Sequence, residues 1–94
     1  MIKRYRLLIG DSKSEVFLLG YRLGVTPCEY KLLLALAEAE RTHIETLAGT
    51  LGLDTDKKGN VAVHICSLNR KADVIGGRRL ILCENSEYFF NKHM

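Results

Sequence analysis

Few residues in this chain have the type and spacing that chemistry requires. Gly10-Asp11-Ser12 follows an apolar run and could present a serine nucleophile. Such a serine needs an acid and a histidine to activate it, and the sequence contains no Asp-x-x-His pair that could supply both. Gly, Asp and Ser are also the residues that turns favour, so we expect a turn at residues 10–12.

The remaining reactive groups do not form a recognisable site either. The thiols and imidazoles lack the paired spacings of a structural zinc site; they belong to Cys28, Cys66, Cys83, His43, His64 and His93. Gly76-Gly77-Arg78-Arg79 lacks the spacing and the lysine-serine/threonine end of a phosphate-binding P-loop. We therefore expect no catalytic activity, no metal and no cofactor, and we expect Cys66 and Cys83 to be buried or half-buried small side chains.

Charge is distributed unevenly along the chain. Between residues 57 and 79 there are six basic residues and one acidic residue, a net charge of +5, whereas the rest of the chain has a net charge of −2. A basic segment attracts polyanions because each phosphate that it neutralises releases a condensed counterion. Charge alone favours the alternative interpretation, a basic face that only contacts solvent, so the placement of these residues must decide.

Composition indicates one globular domain over residues 1–94. Hydrophobic residues make up 47% of the sequence and charged residues 27%, which are ordinary globular values. The apolar runs are far shorter than the roughly 18 residues that would cross a bilayer, and three cysteines are an odd number that fits reduced thiols. We expect a cytoplasmic protein without a membrane partner.

The elements that must position any site can be read from the local patterns. Short apolar and polar alternations between residues 5 and 25 predict a small antiparallel sheet. Thr26, Pro27 and Glu29 then form a capping-box signal, so we expect a helix that begins at Pro27. Its apolar residues cover a broad arc, which predicts a central buried helix.

Two more helices and a hairpin are expected to follow. Thr42 and Glu45 form a second capping box, which predicts a short helix ended by Gly52, and a polar loop spans residues 52–59. A third helix should begin near Asn60 and carry one apolar stripe of Val61, Ile65, Leu68 and Ala72. This stripe would turn Asn60, Val63, Ser67 and Arg70 outward, flanked by His64 and Lys71. Residues 79–83 and 88–90 read as strands of a terminal hairpin with a turn at residues 84–87.

Three segments in register carry a family pattern. They are Val25-Thr26-Pro27-Cys28-Glu29-Tyr30-Lys31-Leu32-Leu33, then Val61-Ala62-Val63-His64-Ile65 with Leu68 and Lys71, and finally Tyr88. They resemble the first helix, the recognition helix and the wing tyrosine of OmpR/PhoB-type response-regulator effector domains. The resemblance covers nearly the whole chain and implies an α+β fold, a winged helix-turn-helix with an N-terminal antiparallel sheet, three helices and a C-terminal β-hairpin wing. No receiver domain fits in residues 1–94, which leaves either an excised effector domain or a standalone regulator.

The resemblance also implies a function, that of a sequence-specific DNA-binding transcriptional regulator from a two-component system. The third helix would enter the major groove of double-stranded DNA and the wing would reach the minor groove. Asn60 and His64 would hydrogen-bond phosphates or bases, Val63 would meet a thymine methyl, Ser67 would bond a base edge or phosphate, and Arg70 and Lys71 would neutralise phosphates. Contact with RNA polymerase through residues 53–59, and a homodimer on direct repeats, are further implications.

The sequence departs from the family pattern in the recognition helix and in the wing. Ala62 replaces a common aspartate, and Ser67 and Asn69 replace common arginines. Glu84 stands where the family has a wing arginine, and Glu87 adds a second acid, which argues against contact between this wing and DNA because like charges repel. A winged helix that docks a protein through Val63 and an acidic wing is therefore the alternative function.

Overall fold

The computed structural model of the protein describes residues 2–51 and 58–92, and in them the chain forms a small α+β domain with three helices and two antiparallel sheets. The strands are β1 (Ile2–Arg4), β2 (Leu7–Ile9), β3 (Val16–Leu18), β4 (Tyr21–Arg22), β5 (Thr42–His43), β6 (Ile81–Glu84) and β7 (Glu87–Phe90). The helices are α1 (Pro27–Ala37), α2 (Ile44–Thr50) and α3 (Lys58–Gly76).

The first four strands form the predicted N-terminal sheet, in the order β1-β2-β3-β4. Alternate residues face the core, and Leu7, Ile9, Val16 and Leu18 are buried there. This follows from the two-residue period of a strand. The sheet begins earlier than the sequence pattern indicated, since β1 starts at Ile2.

Helix α1 begins at Pro27, as predicted, and its capping box is complete. The Glu29 backbone N–H donates to Thr26 Oγ1 at 3.2 Å, and the Thr26 N–H donates to Glu29 Oε1 at 2.8 Å. Arg4 Nε and Nη2 donate to the Ala37 carbonyl at 3.0 and 2.7 Å, which satisfies an acceptor in the last turn. The helix is thereby fixed against the N-terminal sheet.

The predicted start of α2 is wrong by one residue. Thr42 is not its cap; it lies in β5, pairs with Tyr88 and has a buried hydroxyl oxygen with no hydrogen-bond partner. His43 is the N-cap instead, and its Nδ1 accepts from the Glu45 N–H at 3.1 Å. The Thr-x-x-Glu pattern involves only neighbouring residues. Strand β5, which contains Thr42, forms only because it pairs with a strand 46 residues later in the chain.

The second sheet has the order β5-β7-β6, so the predicted terminal hairpin is present and gains a third strand. Its turn is shorter than predicted. Glu84 and Glu87 belong to the strands and face each other, and only Asn85 and Ser86 connect them, both with positive φ (53° and 64°). Two positive φ angles are the signature of the tight type I′ turn that matches strand twist.

One hydrophobic core joins the two sheets and the three helices. Its buried residues include Leu18 from the first sheet, Leu33 from α1, Leu47 from α2, Leu68 from α3 and Ile81 from the hairpin. Within the described residues, no helix combines the length and the apolar character that crossing a membrane requires.

Candidate nucleic-acid interface

Helix α3 is fixed to the core by one side. The predicted stripe of Val61, Ile65, Leu68 and Ala72 is buried, with spacings of four, three and four residues. Such spacings keep successive residues within a narrow arc of a helix that turns 3.6 residues at a time. The opposite side of the helix must therefore point away from the core.

That opposite side, which we call the outward face of α3, consists of exposed residues; they are Asn60, Val63, Cys66, Arg70, Asp73 and Val74. Three of these were predicted, and Val63 is 65% exposed. Cys66, Asp73 and Val74 were not assigned to the face, although helical spacing from Val63 and Arg70 would have placed them there. The prediction that Cys66 and Cys83 are buried or half-buried is wrong, because both are exposed.

The outward face is less basic than the charge excess of the segment indicated. Its described side chains include one cation, Arg70, and one anion, Asp73. Lys57 lies outside the described residues, and Arg78 and Arg79 follow the end of α3. The charge pattern of a linear segment thus does not transfer to one face of a helix.

One flank of α3 is turned toward the start of α1. Lys71 Nζ donates to Glu29 Oε1 at 2.6 Å, and the Glu29 side chain is only 1% exposed whereas that of Lys71 is 35% exposed. Ser67 is half-buried, and its hydroxyl acts on the same carboxylate, whose pKa it lowers. The ammonium of Lys71 is thus engaged within the protein, and the Ser67 hydroxyl is close to the same carboxylate.

Two opposing effects at this contact determine the pKa of Glu29: burial raises it, and hydrogen bonds and the charge of Lys71 lower it. Burial raises the pKa of the Glu29 carboxyl, but the hydrogen bonds from Lys71, the Thr26 backbone and Ser67, with the positive charge of Lys71, outweigh burial and leave the pKa below its ordinary value. The buried carboxylate is therefore charged at neutral pH. It links the capping box of α1 to the middle of α3.

The other flank of α3 holds the hairpin. Asn69 Nδ2 donates to the Ile81 carbonyl at 3.0 Å, and the Ile81 N–H donates to Asn69 Oδ1 at 2.8 Å. One amide thus fixes the first residue of β6 through both of its backbone groups. From the sequence, Asn69 was recognised only as a departure from the family's arginine, because the partner backbone group is visible only in the folded chain.

The tip of the hairpin is acidic. Glu84 and Glu87 face each other across the turn, an arrangement that costs stability when both are ionised. Arg41 relieves part of this repulsion, with Nη1 3.6 Å from Glu84 Oε1 and its guanidinium carbon 4.3 Å from the centroid of the Phe89 ring. Both side chains of the ion pair are well exposed, so it contributes little, about 0 to 1 kcal/mol.

The predicted positions not yet described are Asn60, His64 and the loop at residues 53–59. Asn60 is exposed near the start of α3, and His64 is half-buried. Of the loop predicted to contact RNA polymerase, residues 53–57 lie outside the described residues, while Lys58 and Gly59 already belong to α3.

The segment that begins with Gly10-Asp11-Ser12 and the possible metal ligands were the residues considered for other chemistries. At residues 10–15 the chain turns, with the Gly10 N–H donating to the Glu15 carbonyl at 2.7 Å and the two serine hydroxyls, Ser12 and Ser14, 2.9 Å apart. A Cβ on Gly10 would collide with the Glu15 side chain and carbonyl, which explains the glycine. Among the described residues, no three His, Cys, Asp or Glu side chains converge as metal ligands.

Comparison of the chain with protein-family models, with curated proteins and with solved structures found no match. The case for a function therefore depends on the arrangement of residues around α3.

Proposed function

We propose that this chain is a winged-helix DNA-binding domain that acts as a sequence-specific transcriptional regulator of the response-regulator type. The observation that carries the proposal is the exposure of the outward face of α3. The helix is fixed by a core stripe, by Lys71 on one flank and by Asn69 on the other, and the side between these flanks is left uncovered. The order of sheet, three helices and hairpin supports the winged-helix plan.

The dimensions of α3 suit a duplex. Nineteen residues make a helix about 28 Å long, and a B-form major groove about 12 Å wide admits it. In the proposed complex Val63 contacts a thymine methyl, Asn60 reaches a phosphate or base edge near the helix N-terminus, and Arg70 neutralises a phosphate. His64 and Ser67 stand at the margin of this contact because both are half-buried.

Lys71 has a different role in the proposal from the one that the resemblance implies. Its ammonium is bound to a buried carboxylate, so withdrawing it to a phosphate would leave Glu29 charged and unpaired. We assign Lys71 to fixing the orientation of α3. Arg70 is then the residue through which electrostatic contact is best tested.

The test is selection of bound duplexes from a random pool at two salt concentrations, followed by affinity measurements on the enriched sequence. We expect one motif to be enriched, and Arg70→Gln to weaken binding to all sequences and to reduce the log-log salt slope by about 0.9. Lys31→Gln is the matched control, since Lys31 is an exposed lysine on α1. Unchanged affinity and slope in Arg70→Gln would reject the placement of this face on DNA.

A second pair of variants tests base reading. Val63 and Val74 are both exposed on the outward face, about 17 Å apart along the helix, and Val63 lies nearer the N-terminal end that enters the groove. We expect Val63→Ser to change the enriched motif at one position and Val74→Ser to leave it unchanged. The two variants have the same chemistry, so a difference between them reports position.

A protein-docking module is the second candidate. Val63 and Val74 are 65% and 85% exposed, and two such valines flanking one arginine resemble a docking surface as much as a phosphate-binding one. The hairpin tip adds acid rather than base. Absence of any duplex binding at low salt would favour this candidate over DNA binding, because phosphate contacts are strongest there.

A further inference from the structure

Two exposed cysteines lie on α3 and on the hairpin that contacts it. Cys66 is on the outward face of α3, between Val63 and Arg70, and Cys83 is in β6 of the hairpin. Neither thiol is required by the core. Their relative placement can be worked out from the contact that joins α3 to β6.

The Asn69–Ile81 contact gives the starting point. Asn69 holds both backbone groups of Ile81 at 2.8 and 3.0 Å, so these two positions are adjacent. Cys66 lies one turn before Asn69, about 4.5 Å along the helix axis, and on a neighbouring part of its surface. Cys83 lies two residues beyond Ile81, about 6.6 Å along the strand and on the same face of it.

The face of β6 that Cys83 shares is the one turned toward the core. Ile81 is buried, and the cross-strand partners of Ile81 and Cys83, which are Phe90 and Tyr88, are buried as well. Cys83 itself is exposed and lies next to Glu84, the last residue of β6.

The course of the chain indicates that the two steps run in the same direction. Helix α3 ends at Gly76, and by Ile81 the chain has returned to the level of Asn69, about 10 Å back along the helix, so β6 continues toward the turn that contains Cys66. Burial raises the pKa of the Tyr88 phenol, and the thiol groups of both Cys83 and Cys66 raise it further, Cys83 also by a hydrogen bond. This influence of both cysteines on one phenol agrees with their placement near the contact between α3 and the hairpin.

We propose that Cys66 and Cys83 form an oxidation site, at which hydrogen peroxide produces an intramolecular disulfide that joins the hairpin to the outward face of α3. The thiolate of one cysteine attacks a peroxide oxygen, the O–O bond breaks, and the leaving hydroxide takes a proton to become water, which gives a sulfenic acid. The second thiolate attacks this sulfur, the S–S bond forms, and the S–O bond breaks with release of a second water. Two thiols lose two electrons in total, and one peroxide gains them.

The disulfide would have a consequence for the outward face. Joining Cys66 to the hairpin draws β6 over a position between Val63 and Arg70, the two residues assigned to base and phosphate. Oxidation would then weaken duplex binding, and reduction would restore it. This consequence, unlike the disulfide itself, rests on the proposed function.

The test uses the full chain and its single Cys-to-Ser variants. The protein is treated with one equivalent of hydrogen peroxide, free thiols are alkylated, and the unreduced digest is analysed by mass spectrometry. We expect a linked pair of peptides containing Cys66 and Cys83 in the monomer, lost in Cys66→Ser and in Cys83→Ser and retained in Cys28→Ser. Links to Cys28, links between chains, or sulfinic acid at Cys66 and Cys83 without a link would overturn the proposal.

Duplex binding is measured separately on the same samples. Loss of affinity that dithiothreitol restores, present in the unmodified chain and absent in Cys83→Ser, supports the regulatory consequence. A linked monomer that binds duplex as well as the reduced chain overturns that consequence. If the link forms but the reduced chain binds no duplex, the proposed function is refuted and the oxidation site is supported. If the reduced chain binds duplex but no link forms, the oxidation site is refuted and the proposed function is unaffected.

Discussion

Removal of the Lys71 ammonium tests the contact that fixes α3 relative to α1. In Lys71→Met the aliphatic part of the side chain is retained and the charge is lost, while Glu29 remains 1% exposed. Breaking a fully buried pair typically costs about 3 to 5 kcal/mol because the remaining charge is unpaired. Lys71 is about one-third exposed, and Glu29 keeps its bonds to Thr26 and Ser67, so we expect a smaller loss of about 2 kcal/mol.

Urea denaturation measures this loss. With an m-value of about 1 kcal/mol per M, a loss of about 2 kcal/mol lowers the midpoint by about 2 M while the m-value stays unchanged. Lys31→Met is the matched control, because Lys31 is an exposed lysine of α1, and we expect a change within about 0.5 kcal/mol. Glu29→Gln and the double variant complete a cycle, since glutamine can still serve the capping box.

The pH dependence gives an independent check on the same reasoning. The folded-state pKa of Glu29 lies below its ordinary value, so its stabilising contribution is present above the unfolded-state pKa, about 4, and is lost as pH falls through the folded-state pKa. In Lys71→Met, burial is no longer opposed by the ammonium, so the pKa of Glu29 rises and acid removes less stability. The gap between the two proteins should narrow below about pH 4. Equal midpoints for both proteins at neutral pH, or a gap that widens in acid, would refute the role given to the pair.

Two further substitutions test particular features of the hairpin sheet. Thr42→Val removes the buried hydroxyl oxygen that has no partner and keeps the shape of the side chain, so we expect a gain of about 1 kcal/mol by thermal or urea unfolding; a loss would mean that the hydroxyl is satisfied. Ser86 has a positive φ of 64°, which glycine adopts without strain, so Ser86→Gly should stabilise the protein by up to about 1 kcal/mol. Valine is β-branched and adopts such an angle poorly, so Ser86→Val should destabilise the protein. If both Ser86 variants changed the midpoint in the same direction, the turn would not have the type I′ geometry.

The start of α1 and the core stripe of α3 could be predicted from the sequence because both depend on short spacings. A capping box needs four consecutive residues, and a helical stripe repeats every three or four, so the sequence alone placed Pro27 at a helix start and buried Val61, Ile65, Leu68 and Ala72. The exposure of Val63 and Arg70 followed from the same stripe.

The candidate interface was predicted less completely, and the reason is the range of the interactions involved. Ser67 was expected on the outward face and Lys71 beside it, but both act on a carboxylate about 40 residues earlier in the chain. The role of Asn69 is evident only in the folded chain, where β6 lies beside it. Thr42 was predicted to be a helix N-cap, whereas it lies in a strand. In each case a distant segment supplied the partner for a side chain or backbone group.

The sequence by itself determined the order of the N-terminal sheet, the three helices and the terminal hairpin, the helix that begins at Pro27 and the buried side of α3, since local backbone preferences and periodic burial require no knowledge of distant contacts. Only the tertiary structure decided which polar residues of α3 remain exposed. Glu29 and Ile81 each bind a polar side chain of the helix, because a buried carboxylate and the backbone groups of a buried residue in an edge strand must find partners when water is excluded.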